Sequence, residues 1–127
     1  MKRAFVLAVA LMLVAAGTAV AAQKVYYKVP FGKTVYKPKR IEFSDATLSH
    51  IHWRHYNSKR ARGSARARVN TCIPYCAAGK IVHGTANLKL FQRHTEGSKR
   101  FYGCLVGKIH ADDGHTYPVE WPAACNH

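Results

Sequence analysis

Residues 53–79 read WRHYNSKRARGSARARVNTCIPYCAAG, and the alternation in the first half of this stretch decides the fold class. Between residues 60 and 69, small or apolar residues occupy one parity, and the other parity carries Arg60, Arg62, Ser64, Arg66 and Arg68. A period of two places the two sets on opposite faces of a β-strand. The sequence therefore predicts a strand with a flat, small-residue face against the core and a row of guanidinium groups in water. A tight loop, CIPYC, follows it.

A helix is the alternative for the same stretch, because Ala and Arg are good helix formers and Ser58 could cap a short helix. Gly63 would cost such a helix about 1 kcal/mol. A helix would also scatter the arginines around its circumference and leave no apolar stripe to bury. The strand is favoured, and the helix stays the alternative.

The spacing of the aromatic, small and cysteine residues in this stretch is specific. It reads Trp53-x2-Tyr56-x4-Ala61-x-Gly63-x-Ala65-x6-Cys72-x-Pro74-x-Cys76-Ala77-x-Gly79, and Pro38-x2-Ile41-x-Phe43-Ser44 precedes it. This pattern resembles a family of small secreted or lipid-anchored actinobacterial proteins with no assigned activity, which usually read W-x2-W-x4-A-x-G-x-G-x6-C-x-P-x-C-A-x-G. The resemblance implies a Cys72–Cys76 disulfide, because the relatives generally carry only this pair.

The chain departs from the family pattern in four ways. Tyr56 replaces the second Trp, Ala65 replaces the second Gly, arginines stand where Thr and Ser are usual, and Cys104 and Cys125 form an additional pair. Because of the arginines, what the relatives do is not carried over to this chain.

The first 22 residues have the organisation of a signal peptide. Lys2 and Arg3 precede an apolar run over residues 4–16, and small residues follow, with cleavage expected after Ala21 or Ala22. The apolar run is shorter than the ~20 residues that a membrane span requires. The sequence predicts a signal peptide at residues 1–22 and one secreted domain at residues 23–127, without a transmembrane segment in the mature chain.

The four cysteines of an exported chain indicate two disulfides, for which three pairings are possible. Asp113-Gly114 predicts a two-residue hairpin turn that would put residue 104 opposite residue 123. Cys125 would then lie one diagonal step from Cys104, within bridging reach. Together with the pair that the resemblance implies, this favours Cys104–Cys125.

The remaining chain predicts an all-β fold. Short alternating or β-branched segments recur with a turn every 8 to 12 residues, as in a single small β-sandwich or barrel-like domain of about seven short strands, tied by disulfides. Residues 101–111 are expected to pair with residues 115–121, and Pro118 and Pro122 make the latter an edge strand. Strand order is not predicted.

Charge gives the main indication of a partner. The chain has 20 Lys and Arg against 6 Asp and Glu, a net charge of +14, which falls by two when Lys2 and Arg3 leave with the signal peptide. Such an excess attracts anionic polymers or surfaces such as teichoic acid, nucleic acid or anionic lipid. The expected polyanion-binding residues are Arg54, Lys59, Arg60, Arg62, Arg66 and Arg68.

No catalytic residue, metal ligand or cofactor is predicted. His50, His52 and His55 could contribute to a Zn or Cu site, but Arg54 repels a cation and no further ligand can be assigned. Adjacent carboxylates at residues 112 and 113 suit a turn better than acid/base chemistry.

We therefore expect a non-enzymatic secreted or cell-envelope-associated basic β-domain that binds an anionic polymer or surface. One alternative is a small secreted, metal-independent ribonuclease, because two histidines and a cation can transfer a phosphodiester. The other is a disulfide-loop recognition or inhibitor module, with Tyr75 at the tip of the loop.

Overall fold

A computed structural model describes residues 23–122 and residue 125. The predicted signal peptide, residues 1–22, lies outside the described residues. Eight strands and one short 3₁₀ turn, Cys76–Ala78, follow one another. The strands are β1 Val25–Lys28, β2 Thr34–Tyr36, β3 Ile41–Glu42, β4 Ala46–Arg54, β5 Ala61–Asn70, β6 Ile81–Glu96, β7 Lys99–Ala111 and β8 Thr116–Trp121.

All eight strands belong to one sheet, which curls into a half barrel. The order is β2-β1-β7-β6-β5-β4-β3, and β8 also pairs with β7. Every pairing is antiparallel except that of β1 with β7. The all-β, barrel-like prediction is confirmed, with eight strands instead of about seven. Two of them are not short, because β6 has 16 residues and β7 has 13.

The segment between β2 and β3 lies against β4 and helps to close the curled sheet. The Ile51 amide donates a hydrogen bond to the Lys39 carbonyl (3.1 Å). The Trp53 indole N–H donates to the Pro38 carbonyl (2.7 Å). These contacts bring the β2 end of the sheet towards the β4 end.

The arginine-rich stretch is a strand, so the helix alternative is wrong. Burial alternates along all of β5: the small and apolar residues face the core, and Arg62, Ser64, Arg66 and Arg68 face solvent. The strand is more stable than a helix here because it buries all the small residues on one face while each charged side chain keeps its hydration.

Large aromatic residues fill the interior that the small face of β5 leaves open. Tyr56 is the centre of this cluster, with ring centroids 5.4 Å from Tyr36, 5.4 Å from Tyr102 and 5.6 Å from Trp53. A Cβ at Gly63 would lie 2.8 Å from Cε3 of Trp53. The alternating Ala and Gly residues of β5 therefore make the room that these rings occupy.

A β-bulge in β4 was not predicted. Ser49 pairs with Arg66 and His52 pairs with Ser64, so two residues of β4, His50 and Ile51, lie opposite one residue of β5. His50 has a positive φ of 51°. Because of the extra residue, Leu48 and Ile51 both face the core although they differ in parity.

The register of the β7–β8 hairpin differs from the expected register by one residue. The Ala111 amide donates to the His115 carbonyl (3.0 Å), so residues 112–114 form a three-residue loop, with Gly114 at a φ of 83°. Leu105 pairs with Trp121, which places residue 104 opposite residue 122 and not 123. The two-residue turn is therefore wrong, because an Asp-Gly pair also suits a three-residue loop with Gly in the left-handed position.

Both predicted disulfides are present, Cys72–Cys76 and Cys104–Cys125. The second bridge forms despite the changed register, because β8 ends at Trp121 and Cys125 lies outside the strand. As predicted, β8 is an edge strand: its one partner in the described chain is β7.

Candidate anion-binding face

The solvent-exposed side of β4 to β7, here called the outer face, carries rows of cations that run across the strands. Arg54 of β4 pairs with Arg62 of β5, and Arg62 pairs with Lys89 of β6. Paired residues have Cα atoms about 4.5–5.5 Å apart. Three cationic side chains therefore stand side by side in one row.

The neighbouring rows add two more arginines, each with a histidine on the same face. Arg68 of β5 pairs with His83 of β6. Arg66 pairs with Thr85, which in turn pairs with His110 of β7. We call the following residues the cationic face: Arg54, Arg62, Arg66, Arg68, His83, Lys89, Lys108 and His110.

Pairing explains which of these residues sequence reasoning missed. Lys89 lies on β6 and Lys108 on β7. The alternation of residues along β6 indicates that Lys89 faces outward, but it does not indicate that Lys89 is the neighbour of Arg62. Of the predicted residues, Arg54, Arg62, Arg66 and Arg68 lie on the cationic face. Lys59 and Arg60 are exposed in the bend that precedes β5.

The arginines of the cationic face have no carboxylate partner within the described part of the chain. The ion pairs of the described residues all lie elsewhere: they join Lys28 to Glu96, Arg40 to Glu42, His94 to Glu96 and His115 to Asp113. Like charges placed directly opposite each other destabilise a sheet. The row Arg54, Arg62, Lys89 therefore costs stability that the fold does not recover through ion pairs.

An open groove of about 460 Å³ crosses the outer face beside this row. Its polar wall consists of Arg62, Asn87, Lys89, Lys108 and His110, with Glu120 of β8 at the far side. Val106 and Gly107 of β7 also line it. The groove is shallow and cationic, which suits a chain of anions lying along the surface.

His50, His52 and His55 are the candidate metal ligands that the sequence offers. Within residues 23–122, no group of three or more His, Cys, Asp or Glu side chains is arranged to hold a metal ion. His50 sits in the bulge of β4, whereas His55 follows the strand at a positive φ of 55°. His50, His52 and His55, neighbours in the sequence, are therefore not part of such a group.

Asp113 serves the β7–β8 turn. Its carboxylate accepts hydrogen bonds from the His115 amide (2.9 Å) and the Tyr117 hydroxyl (2.9 Å). These hydrogen bonds, chiefly the one from the His115 amide, hold the pKa of Asp113 below its usual value. The hydrogen bond from the Tyr117 hydroxyl to Asp113 raises the pKa of Tyr117. Such a carboxylate stays ionised and engaged in the turn.

The N-terminal aromatic residues lie at the sheet edge and carry their own cations. Tyr26 and Tyr36 are neighbours on β1 and β2, with ring centroids 5.8 Å apart. The Nζ atom of Lys24 lies 5.2 Å from the Tyr36 ring, and that of Lys99 lies 5.1 Å from the Tyr26 ring. Because ammonium groups cover the rings, this region offers a nucleic-acid base little free stacking surface.

Comparison with protein-family models, with curated proteins and with solved structures finds no match. Among the described residues, no helix has the length and apolar character needed to cross a membrane.

Proposed function

We propose that the chain is a non-enzymatic basic β-domain, secreted or held in the cell envelope, that binds a linear anionic polymer along the cationic face. The observation that carries this proposal is the unneutralised row Arg54, Arg62, Lys89, in which three strands contribute one cation each. Its electrostatic cost to the fold is offset when phosphates or other anions occupy the row.

The pitch of β5 matches a phosphate chain. Alternate residues of a strand are about 6.6 Å apart, so Arg66 and Arg68 can contact successive anions, and Arg62 continues the row beyond Ser64. Contacts of this kind follow a backbone without reading bases. Teichoic acid and nucleic acid are both suitable polymer classes.

Two observations support an extracellular location. The two disulfides suit an oxidising compartment. The first 22 residues have the charge and apolar pattern of a signal peptide.

The first prediction tests the cationic face against net charge. Replacing Arg62, Arg66 and Arg68 together by Ser should weaken binding to inorganic polyphosphate at least about tenfold at low salt. It should also reduce the slope of log K against log salt by about two, because three ion contacts are lost. Calorimetry or fluorescence titration across a salt series measures both quantities.

The matched control replaces Lys24, Lys33 and Lys39, which lie outside the cationic face and are all exposed, by Ser. Both variants lose three charges, so an equal loss of affinity would mean that only the net charge matters and would overturn the proposal. Lys89 and Lys108 belong to the cationic face, and their joint replacement should follow the arginine variant.

A further inference from the structure

The loop closed by Cys72 and Cys76 follows β5 and exposes apolar side chains to solvent. Ile73 is 73% exposed and Tyr75 is 63% exposed. The described residues have four exposed large hydrophobic side chains, and the other two, Phe31 and Trp121, lie in different parts of the chain. A loop of five residues therefore contributes half of this exposed apolar set.

The backbone of the loop is held rigidly by covalent and hydrogen bonds. The disulfide closes the loop, and Asn70 binds both of its ends. The Asn70 side-chain oxygen accepts from the Cys72 amide (2.9 Å), and its NH₂ group donates to the Cys76 carbonyl (2.7 Å). Because the backbone is fixed, Ile73 and Tyr75 cannot fold back on the domain to escape water.

Two cations, Arg68 and Lys80, lie at the base of this loop. The Lys80 carbonyl accepts from the Thr71 amide (2.9 Å), which places the exposed Lys80 at the loop's exit. Arg68 and His83 form the cross-strand pair two residues below the end of the β5–β6 ladder. One carboxylate, that of the exposed Asp45, lies near Arg68, so the loop base keeps a positive balance.

We propose that the Cys72–Cys76 loop is a membrane-contact site, which inserts Ile73 and Tyr75 into the interface of a bilayer that contains anionic lipid. Lys80 and Arg68 would then contact the lipid phosphates. Tyrosine is favoured at membrane interfaces because its ring is apolar and its hydroxyl is polar. Exposed apolar side chains insert into the membrane interface, and cations beside them are attracted to anionic headgroups; together the two favour peripheral attachment.

A bilayer fits this loop better than a protein pocket does. The exposed loop has Arg68 of β5 on one side and Lys80, the residue before β6, on the other, so its charge complements an anionic surface around the insertion point. A fluid interface also accepts two adjacent side chains without a preformed cavity. Protein recognition, the alternative occupant, predicts no affinity for lipid.

This site is separate from the row Arg54, Arg62, Lys89. Arg62 and Asn70, the last residue of β5, lie eight residues apart along the strand, a distance of about 26 Å. The Debye length at physiological salt is about 8 Å. The charge of Arg62 would therefore be screened from a membrane at the loop. The membrane proposal does not depend on polymer binding by the cationic face.

The second prediction tests the loop with vesicles made of equal parts phosphatidylcholine and phosphatidylglycerol. Sedimentation should show that Ile73→Ser together with Tyr75→Ser weakens vesicle binding about tenfold or more, because two apolar insertions are lost. The same variant should bind polyphosphate as the unchanged protein does. Retained polyphosphate binding also demonstrates that the variant is folded.

Two matched pairs sharpen the experiment. Tyr75→Ser and Phe31→Ser each remove one exposed aromatic ring, and only the first should release vesicles. Arg68→Ser with Lys80→Ser removes as much charge as Arg54→Ser with Arg62→Ser. The pair at the loop should weaken vesicle binding more, since it lies closer to the loop than Arg54 and Arg62 do and its charge is less screened from the headgroups.

Three results would overturn the membrane site: no vesicle binding by the unchanged protein at low salt, vesicle binding that survives loss of Ile73 and Tyr75, or an equal loss from Phe31→Ser and Tyr75→Ser. A loop variant that loses polyphosphate as well as vesicles would also overturn it, because the loop would then belong to the polymer site. Failure of the arginine variant to affect polyphosphate contradicts only the cationic face, so the two proposals fail separately.

Discussion

Gly63 is the residue at which the pattern of β5 and the aromatic interior meet. A Cβ atom there would lie 2.8 and 2.9 Å from two ring carbons of Trp53 and 3.4 Å from a methyl group of Ile51. The Trp53 ring is anchored by its hydrogen bond to the Pro38 carbonyl, so it has little freedom to move away.

The third prediction follows from this contact. Gly63→Ala should lower the free energy of unfolding by about 1–3 kcal/mol, because the added methyl group overpacks the site. The neighbouring Ser64→Ala is the control: its side chain faces solvent, and the change should stay within about 0.5 kcal/mol. Urea denaturation measures both, and an unchanged midpoint for Gly63→Ala would contradict the packing of Trp53 on β5.

At the scale of the element, the bulge in β4 determines which side chains reach the core. Without the extra residue, Leu48 and Ile51 could not both point inward. His50 takes the left-handed conformation that this geometry demands, with a φ of 51°, and His52 returns to the regular ladder opposite Ser64.

The fourth prediction compares these two histidines. His50→Gly should raise the free energy of unfolding by about 0.5–1 kcal/mol, because glycine adopts a positive φ without a steric penalty. His52→Gly should lower it by about the same amount, since glycine in a regular strand only loses conformational entropy. Both residues are exposed, so neither change leaves a cavity. Denaturation curves that shift in the same direction for both variants would contradict the bulge.

At the scale of the whole molecule, the tyrosine cluster links stability to alkaline pH. Burial raises the pKa of Tyr27, of Tyr56 and of Tyr102 above the usual value of about 10. For Tyr56, the Lys37 backbone amide works in the opposite direction but does not offset burial. The folded protein therefore keeps these phenols protonated at a pH at which the unfolded chain has released their protons.

The fifth prediction gives the sign of this effect. Above about pH 10 the unfolded state binds fewer protons than the folded state, so the free energy of unfolding falls as pH rises, whereas below that pH these groups cause no change. Unfolding monitored at several alkaline pH values should show the fall. Absorbance at high pH should show tyrosines that ionise only as the protein unfolds.

Tyr27→Phe is the informative variant. The Tyr27 hydroxyl is buried and has no hydrogen-bond partner among the described residues, so its removal should raise the free energy of unfolding by about 1 kcal/mol at neutral pH. It should also reduce the alkaline loss of stability. Tyr75→Phe, at an exposed position, should change neither quantity. An alkaline loss that is the same with and without the Tyr27 hydroxyl would contradict its burial.

The local features of this protein could be predicted from its sequence. The period of two in residues 61–69 depends only on the geometry of one strand, and it predicted both faces of β5. Proline at residues 118 and 122 removes backbone donors, so the edge position of β8 could also be predicted. The Cys104–Cys125 bridge was predicted correctly through a register that was wrong by one residue, because Cys125 lies beyond the end of β8 and its position does not depend on the ladder register.

The non-local arrangement was decided by tertiary structure. The row Arg54, Arg62, Lys89 exists because β4 and β6 flank β5, and no local period records which strands become neighbours. The bulge at His50 likewise allows Leu48 and Ile51 both to be buried, and the benefit of burying them depends on the core that the other strands form. Strand periodicity is a property of the backbone alone, whereas strand order and register depend on how the apolar faces of all eight strands pack together.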